Sequence, residues 1–162
     1  FVAARLGRLS RVAYLLTGSH HDAEDLLQAA LVKVAGRWKR ISAVGDPEAY
    51  VRKVMYHEHI HSWRKWRRFV DQPSSGVPDV VRADASEALL RRIMLEDALR
   101  KLTRKQRAVV VLRFFEDLSE ADTAAAMGCS VGTVKSQTSH ALGRLRQLAP
   151  ELAELSQQSM EV

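Results

Sequence analysis

Between Tyr56 and Arg68 the chain reads Tyr-His-Glu-His-Ile-His-Ser-Trp-Arg-Lys-Trp-Arg-Arg, side chains suited to holding anions and stacking on flat rings rather than to breaking bonds. Arg64, Lys65, Arg67 and Arg68 place four cations in five positions, a density that matches a phosphate backbone. Trp63, Trp66 and Tyr56 add rings on which an unpaired base can stack, so the run suits single-stranded or melting DNA better than an intact duplex. The alternative is that Trp63 and Trp66 anchor a core and their neighbours are merely solvated. His57 and His61 stand four apart on one helical face, a metal-ligand spacing. Glu58 lies on another face, however, no third ligand follows, and the surrounding cations repel a metal ion, so neither a metal nor a cofactor is expected. There is no Gly-rich phosphate cradle, nucleophile elbow or motif-placed carboxylate pair, and the expectation is a protein that is not an enzyme.

A second stretch with chemical potential runs from Leu118 to Leu148. Ser119 with Asp122 three residues on has the capping-box spacing, and Ser130 stands as another N-cap before Val131. Gly128 between them can take the left-handed conformation that ends one helix and turns the chain into the next. This is the grammar of a helix-turn-helix. Val134, Thr138, Ala141, Leu145 and Leu148 form a seam at helical spacing, which turns Gly132, Thr133, Lys135, Ser136, Ser139, His140 and Arg144 outward and leaves Gln137 at the edge. Short polar side chains and cations near a helix N-terminus suit close approach to DNA. A two-helix hairpin with a merely solvated polar face is the competing reading.

These stretches need helices to hold them. Residues 2–17 read as a first helix, and Ser19 with Asp22 opens a second reaching about Lys39. A polar loop is expected over Arg40 to Gly45. Asp46 as N-cap and Pro47 at the first helical position then start a third helix reaching about Phe69. Two prolines, a glycine and no sustained period make Asp71 to Ala85 a linker, net acidic. A fourth helix begins near Ser86, and Thr103 with Gln106 restarts the chain by a capping box before the helix-turn-helix. The expectation is an all-α chain of two small helical domains joined by a flexible linker: residues 1–70, a linker 71–85, a helix-turn-helix domain 86–149, and an acidic tail 150–162.

Charge follows the same division. The 162 residues carry a net +6 with a pI near 9.8, which favours a polyanionic partner. Residues 1–70 hold 13 Lys and Arg against 6 Asp and Glu, and 103–148 hold 7 against 4, so two basic modules flank an acidic middle. The single cysteine, Cys129, excludes an intramolecular disulfide and makes a Cys-based metal site unexpected. No apolar run approaches a transmembrane length and no signal peptide is visible at Phe1, so a cytoplasmic protein without a membrane partner is expected.

Two basic helical modules, an acidic linker and a terminal helix-turn-helix resemble a bacterial sigma factor of the extracytoplasmic-function group (group 4) in the sigma-70 family, over nearly the whole chain. Ala23-Glu24-Asp25-Leu26-Leu27-Gln28 resembles the region 2 segment that docks on the polymerase clamp helices, implying core-polymerase contacts by Glu24, Asp25, Leu27 and Gln28. Asp46-Pro47-Glu48-Ala49-Tyr50-Val51-Arg52-Lys53-Val54 with Trp63 to Arg68 is similar to the region that reads and melts the −10 element, implying roles for Lys53, Tyr56, His57, Trp63, Arg64, Lys65, Trp66, Arg67 and Arg68. Leu102-Thr103-Arg104-Lys105-Gln106-Arg107 and Gly128 to Ser136 are similar to region 4. That likeness implies −35 contacts by Ser130, Thr133, Lys135, Ser136, Gln137, Ser139, His140 and Arg144. The family often has Arg where Gln137 and His140 stand, and a glutamine such as Gln137 is a residue type that can pair with an adenine edge instead. Ala13-Tyr14-Leu15-Leu16-Thr17-Gly18 further resembles the actinobacterial SigE-like subgroup. The implied function is a promoter-specificity factor that directs core enzyme and supports DNA melting. The implied partners are core RNA polymerase (clamp helices and flap), promoter DNA and an anti-sigma factor. The alternative is a stand-alone helix-turn-helix regulator binding a duplex operator.

Overall fold

Side chains that satisfy the first amides of a helix set the frame. The structure, a computed structural model, describes residues 2–67 and 86–151, and of 63–67 the backbone alone. Helix α1 spans Val2–Thr17, α2 His20–Ala35, α3 Trp38–Val44 and α4 Pro47–Arg67. From residue 86 onward follow α5 (Glu87–Arg100), α6 (Arg104–Val110), a π-helical turn over Val111–Phe115, α7 (Glu120–Met127) and α8 (Val131–Leu148). The Ser19 hydroxyl accepts from the Asp22 amide, Ser86 from Leu89 and Ser130 from Thr133, each relieving a helix start of an orphan donor. Thr103 and Gln106 form the full reciprocal box. Ser119 caps through the Asp122 amide at 3.0 Å, but its hydroxyl donates to the Asp122 carboxylate, so the return half of that box is not made. Asp46 accepts from the Glu48 amide at 2.9 Å and Pro47 opens α4.

Two elements differ from the sequence reading. The second helix ends at Ala35, and the polar stretch read as a loop is mostly α3, packed through Ile41, which is 8% exposed. One buried aliphatic in a polar segment is too weak a period to read, yet its burial pins the turn. The helix beginning at Arg104 widens after Val110 into the π-helical turn, where the Glu116 amide reaches back to the Val111 carbonyl at 2.9 Å. Asp117 follows at φ 54°, a left-handed conformation that Asp tolerates better than most side chains.

α1 packs on α2 and α2 on α4, while α6, α7 and α8 form the second group. The two domains pack against each other. A single buried cluster runs from Leu9, Leu16, Val34, Val51 and Met55 into Leu99, Val109, Leu112 and Met127, because α1 and α4 lie against α5, α6, the π-helical turn and α7. The outer ends of the amphipathic patterns stay exposed: Val2 and Leu6 on α1, and Leu89, Leu90 and Leu95 on α5. Among the described residues no helix is long and apolar enough to cross a membrane.

Candidate nucleic-acid interface

α8 is positioned by its seam. Val134 and Ala141 are fully buried, and Leu145 and Leu148 pack against the core. Thr138 satisfies itself by donating to the Val134 carbonyl at 2.7 Å. Gly128, at φ 66°, ends α7 and lets the chain turn within three residues; a side chain there would pay the left-handed penalty. The consequence is a helix whose outer face meets no other element. Ser130, Thr133, Lys135, Ser136, Ser139, His140 and Arg144 are exposed, and Gln137 is half-buried at the edge. Lys135 lies 4.0 Å from Glu120, a distance at which the ammonium remains available to an anion.

α4 carries the other candidates, and here the structure divides them. Lys53 and His57 are exposed, whereas Tyr56 is 5% exposed and packs in the core with its ring edge-on to His57 at 5.5 Å. Tyr56 therefore does not present a stacking face in this arrangement; the core takes it because Val51, Met55 and Tyr56 share the buried side of α4. The side chains of Trp63, Arg64, Lys65, Trp66 and Arg67, and Arg68 as a whole, lie outside the described residues. The three alternate histidines separate. His57 reaches toward Gly128, and His61 is exposed. His59 is buried, with the Arg104 guanidinium 3.3 Å from its ring. Burial first, then the Arg104 and Arg107 charges, push its imidazole down to about 3, so it is neutral at pH 7.

On α2, Glu24, Asp25 and Gln28 form an exposed polar edge. Leu27, grouped with them from the sequence, turns into the core at 8% exposure, because it shares with Ala23, Leu26, Ala30 and Val34 the face that meets α1 and α4.

What sequence reasoning missed is the contact between the two halves. Arg107, 9% exposed, donates to the carbonyls of Leu99 (2.8 Å) and Arg100 (2.9 Å) on α5 and of Leu16 (2.9 Å) on α1. It thereby places one cation against the C-terminal carbonyls of two helices. Burial lowers its pKa to about 10, which leaves it charged. Arg100 reaches the Gly18 carbonyl at 3.2 Å and the Tyr14 hydroxyl at 3.2 Å. A Cβ at Gly18 would meet the Arg100 side chain at 2.9 Å, so the Tyr14 to Gly18 segment is a docking surface within the chain. Tyr14 and Arg11 both bind Glu96. Burial alone would raise the Glu96 carboxyl, but hydrogen bonds from Arg92 and Arg11 outweigh it and hold the group below the ordinary range. The one available signal was Glu116, an acid closing the run Val109 to Phe115, apolar but for Arg113.

Comparison with known proteins agrees with this geometry. Residues 1–69 match the family model for sigma-70 region 2 and residues 92–145 that for sigma-70 region 4. The RNA polymerase sigma-E factor of Streptomyces avermitilis is 43% identical over 147 residues, covering 91% of this chain and 82% of the relative. The extracytoplasmic-function RNA polymerase sigma factor SigL of Mycobacterium tuberculosis is 32% identical over 153 residues, covering 89% and 84%. Among solved structures, the sigma factor RpoE of Bartonella quintana, in complex with the anti-sigma factor NepR, superposes with a TM-score of 0.76 at 29% identity, covering 92% of this chain and 94% of that one. CnrH, in complex with the cytosolic domain of CnrY, gives 0.62 at 23% identity and shares the fold. With regions 2 and 4 both present, in order and in an all-helical frame, the chain belongs to the sigma-70 family, as an RNA polymerase sigma factor of the extracytoplasmic-function group.

Proposed function

We propose that the chain acts in the cytoplasm as the promoter-specificity subunit of RNA polymerase, without catalytic activity of its own. The observation that carries this reading is the uncovered outer face of α8, a row of small polar and cationic side chains held in place by a buried seam and an N-cap. Entering the −35 major groove, that helix would use Ser130 and Thr133 near its positive end, Gln137 and His140 at base edges, and Lys135, Ser136, Ser139 and Arg144 on the backbone. Strand capture at −10 falls to Lys53 and His57 with the Trp63 to Arg68 run, whose composition suits an unstacked strand. Glu24, Asp25 and Gln28 offer an acidic edge to the polymerase clamp helices, and the flap and an anti-sigma factor complete the partners. Domain limits of 1–70 and 86–149 about a linker at 71–85 fit this division. The test is run-off transcription with purified core enzyme on genomic templates. Promoter-dependent transcripts are expected; their absence, together with operator binding by the free chain, would favour the stand-alone regulator.

A further inference from the structure

The two halves meet through a carboxylate seated among arginines. Glu116, at the end of the π-helical turn, has a side chain 2% exposed. Its Oε1 lies 2.9 Å from Arg8 Nε on α1 and its Oε2 3.5 Å from Arg52 Nη1 on α4. Glu48, on α4, pairs with the same two arginines and with Arg5. The arginine cleft thus belongs to the N-terminal half and already holds one carboxylate of its own. Glu116 is the second, brought from the C-terminal half.

We propose that Glu116 is a reversible latch, whose seating between Arg8 and Arg52 keeps the two halves closed over one another. Closure covers the α4 face that carries Tyr56 and His59, since α6 places Arg104 on His59 and α7 ends with Gly128 against His57. It leaves the outer face of α8 open. The closed form is too short for both readers at once. A compact chain of this length has a radius of gyration of about 15 Å, hence a span of about 40 Å. Elements centred at −10 and −35 are roughly 25 base pairs apart, about 85 Å of B-form axis. Residues 68–85 have a contour of up to about 60 Å, so separation is within reach. On separation Glu116 passes to water, while Glu48 stays and keeps the arginines paired. Neither half is then left with an isolated buried charge, which is what makes the latch reversible. The consequence for promoter access rests on the sigma-factor reading; the latch itself does not.

Thiol labelling of the full chain tests it, because the labelling rate of a buried cysteine reports the population of the open form even when that form is rare. In a Cys129→Ala background, His59→Cys places the reporter between α4 and α6, and Ala30→Cys places a control inside the N-terminal half. Glu116→Gln, or Arg8→Glu on the half-exposed flank of α1, is expected to raise labelling at 59 at least tenfold and to leave labelling at 30 within about twofold. An unchanged rate at 59, or an equal rise at both positions, would overturn the latch. Should Glu116→Gln fail to fold, Arg8→Glu decides by the same two readings. Run-off transcription separates the two claims, since loss of the latch leaves promoter-dependent transcription in place.

Discussion

His59 is the residue whose environment departs furthest from its sequence reading. It is one of three alternate histidines beside a cationic run, whose spacing raised the question of a metal; in the fold it is 2% exposed under Arg104. A neutral imidazole next to a guanidinium accepts a hydrogen bond, and a protonated one is repelled by it. With a folded pKa of about 3 against 6.5 in the unfolded chain, His59 is neutral in both states above pH 6.5, and its contribution there is intact. Between 6.5 and 3 only the unfolded chain takes up the proton, so stability falls as pH falls, by about 1.4 kcal/mol per unit. Chemical denaturation at pH 7 and pH 5 should therefore show the parent losing about 2 kcal/mol more than His59→Gln. Parallel losses would place His59 in water. Nothing in the local sequence distinguishes this histidine from His57 or His61, because the discriminating groups, Arg104 and Arg107, come from a helix far along the chain.

At the scale of elements the helix-turn-helix was the most legible part. Ser119, Gly128 and Ser130 are local signals that act through neighbouring amides, so they survive whatever the rest of the chain does. α3 was not legible, since Ile41 is its one fully buried residue and Trp38 is only partly buried, and the π-helical turn was hidden because a one-residue widening leaves the run Val109 to Phe115, apolar but for Arg113, looking like ordinary helix. The helices of the two-domain fold were readable from their caps and periods, but the docking of the domains was not: it rests on a shared buried cluster, guanidinium-to-carbonyl bonds and ion pairs between residues far apart in the chain, which no periodicity records. The exposed face of α8 gives a prediction at this scale. Lys135 and Arg144 stand on the outer side of the helix, the first only 4.0 Å from a carboxylate and the second exposed. If both neutralise a phosphate, replacing both by Ala should flatten the plot of log affinity for −35 duplex against log salt by about 1.8, near 0.9 per lost contact. The seam is untouched, so helicity should not change. A parallel plot displaced to weaker binding would mean the two cations act away from the backbone.

For the whole molecule, the decisive question is how one chain presents three surfaces to two partners. The α8 face and the acidic edge of α2 are both open in the closed form, whereas the buried face of α4 is not. On the proposed docking of polymerase at the acidic edge, α2 is met first, and the binding energy gained there is available to separate the halves, provided the bound complex favours the open form. Asp25 is the residue on which this order can be read. Its side chain is 66% exposed and lies 3.5 Å from the His21 ring on the same helix, a surface contact that adds little to stability. Asp25→Lys should leave the denaturation midpoint nearly unchanged, within about 0.5 kcal/mol, while sharply reducing capture of the full chain by core polymerase in a pull-down. The labelling rate at position 59 of the free chain should not move, because Asp25 is on the opposite side of α2 from the buried residues that face α4. Joint loss of capture and of closure would make the acidic edge part of the fold; normal capture would move polymerase docking to another surface, with the exposed leucines of α5, Leu89, Leu90 and Leu95, the next to be tested.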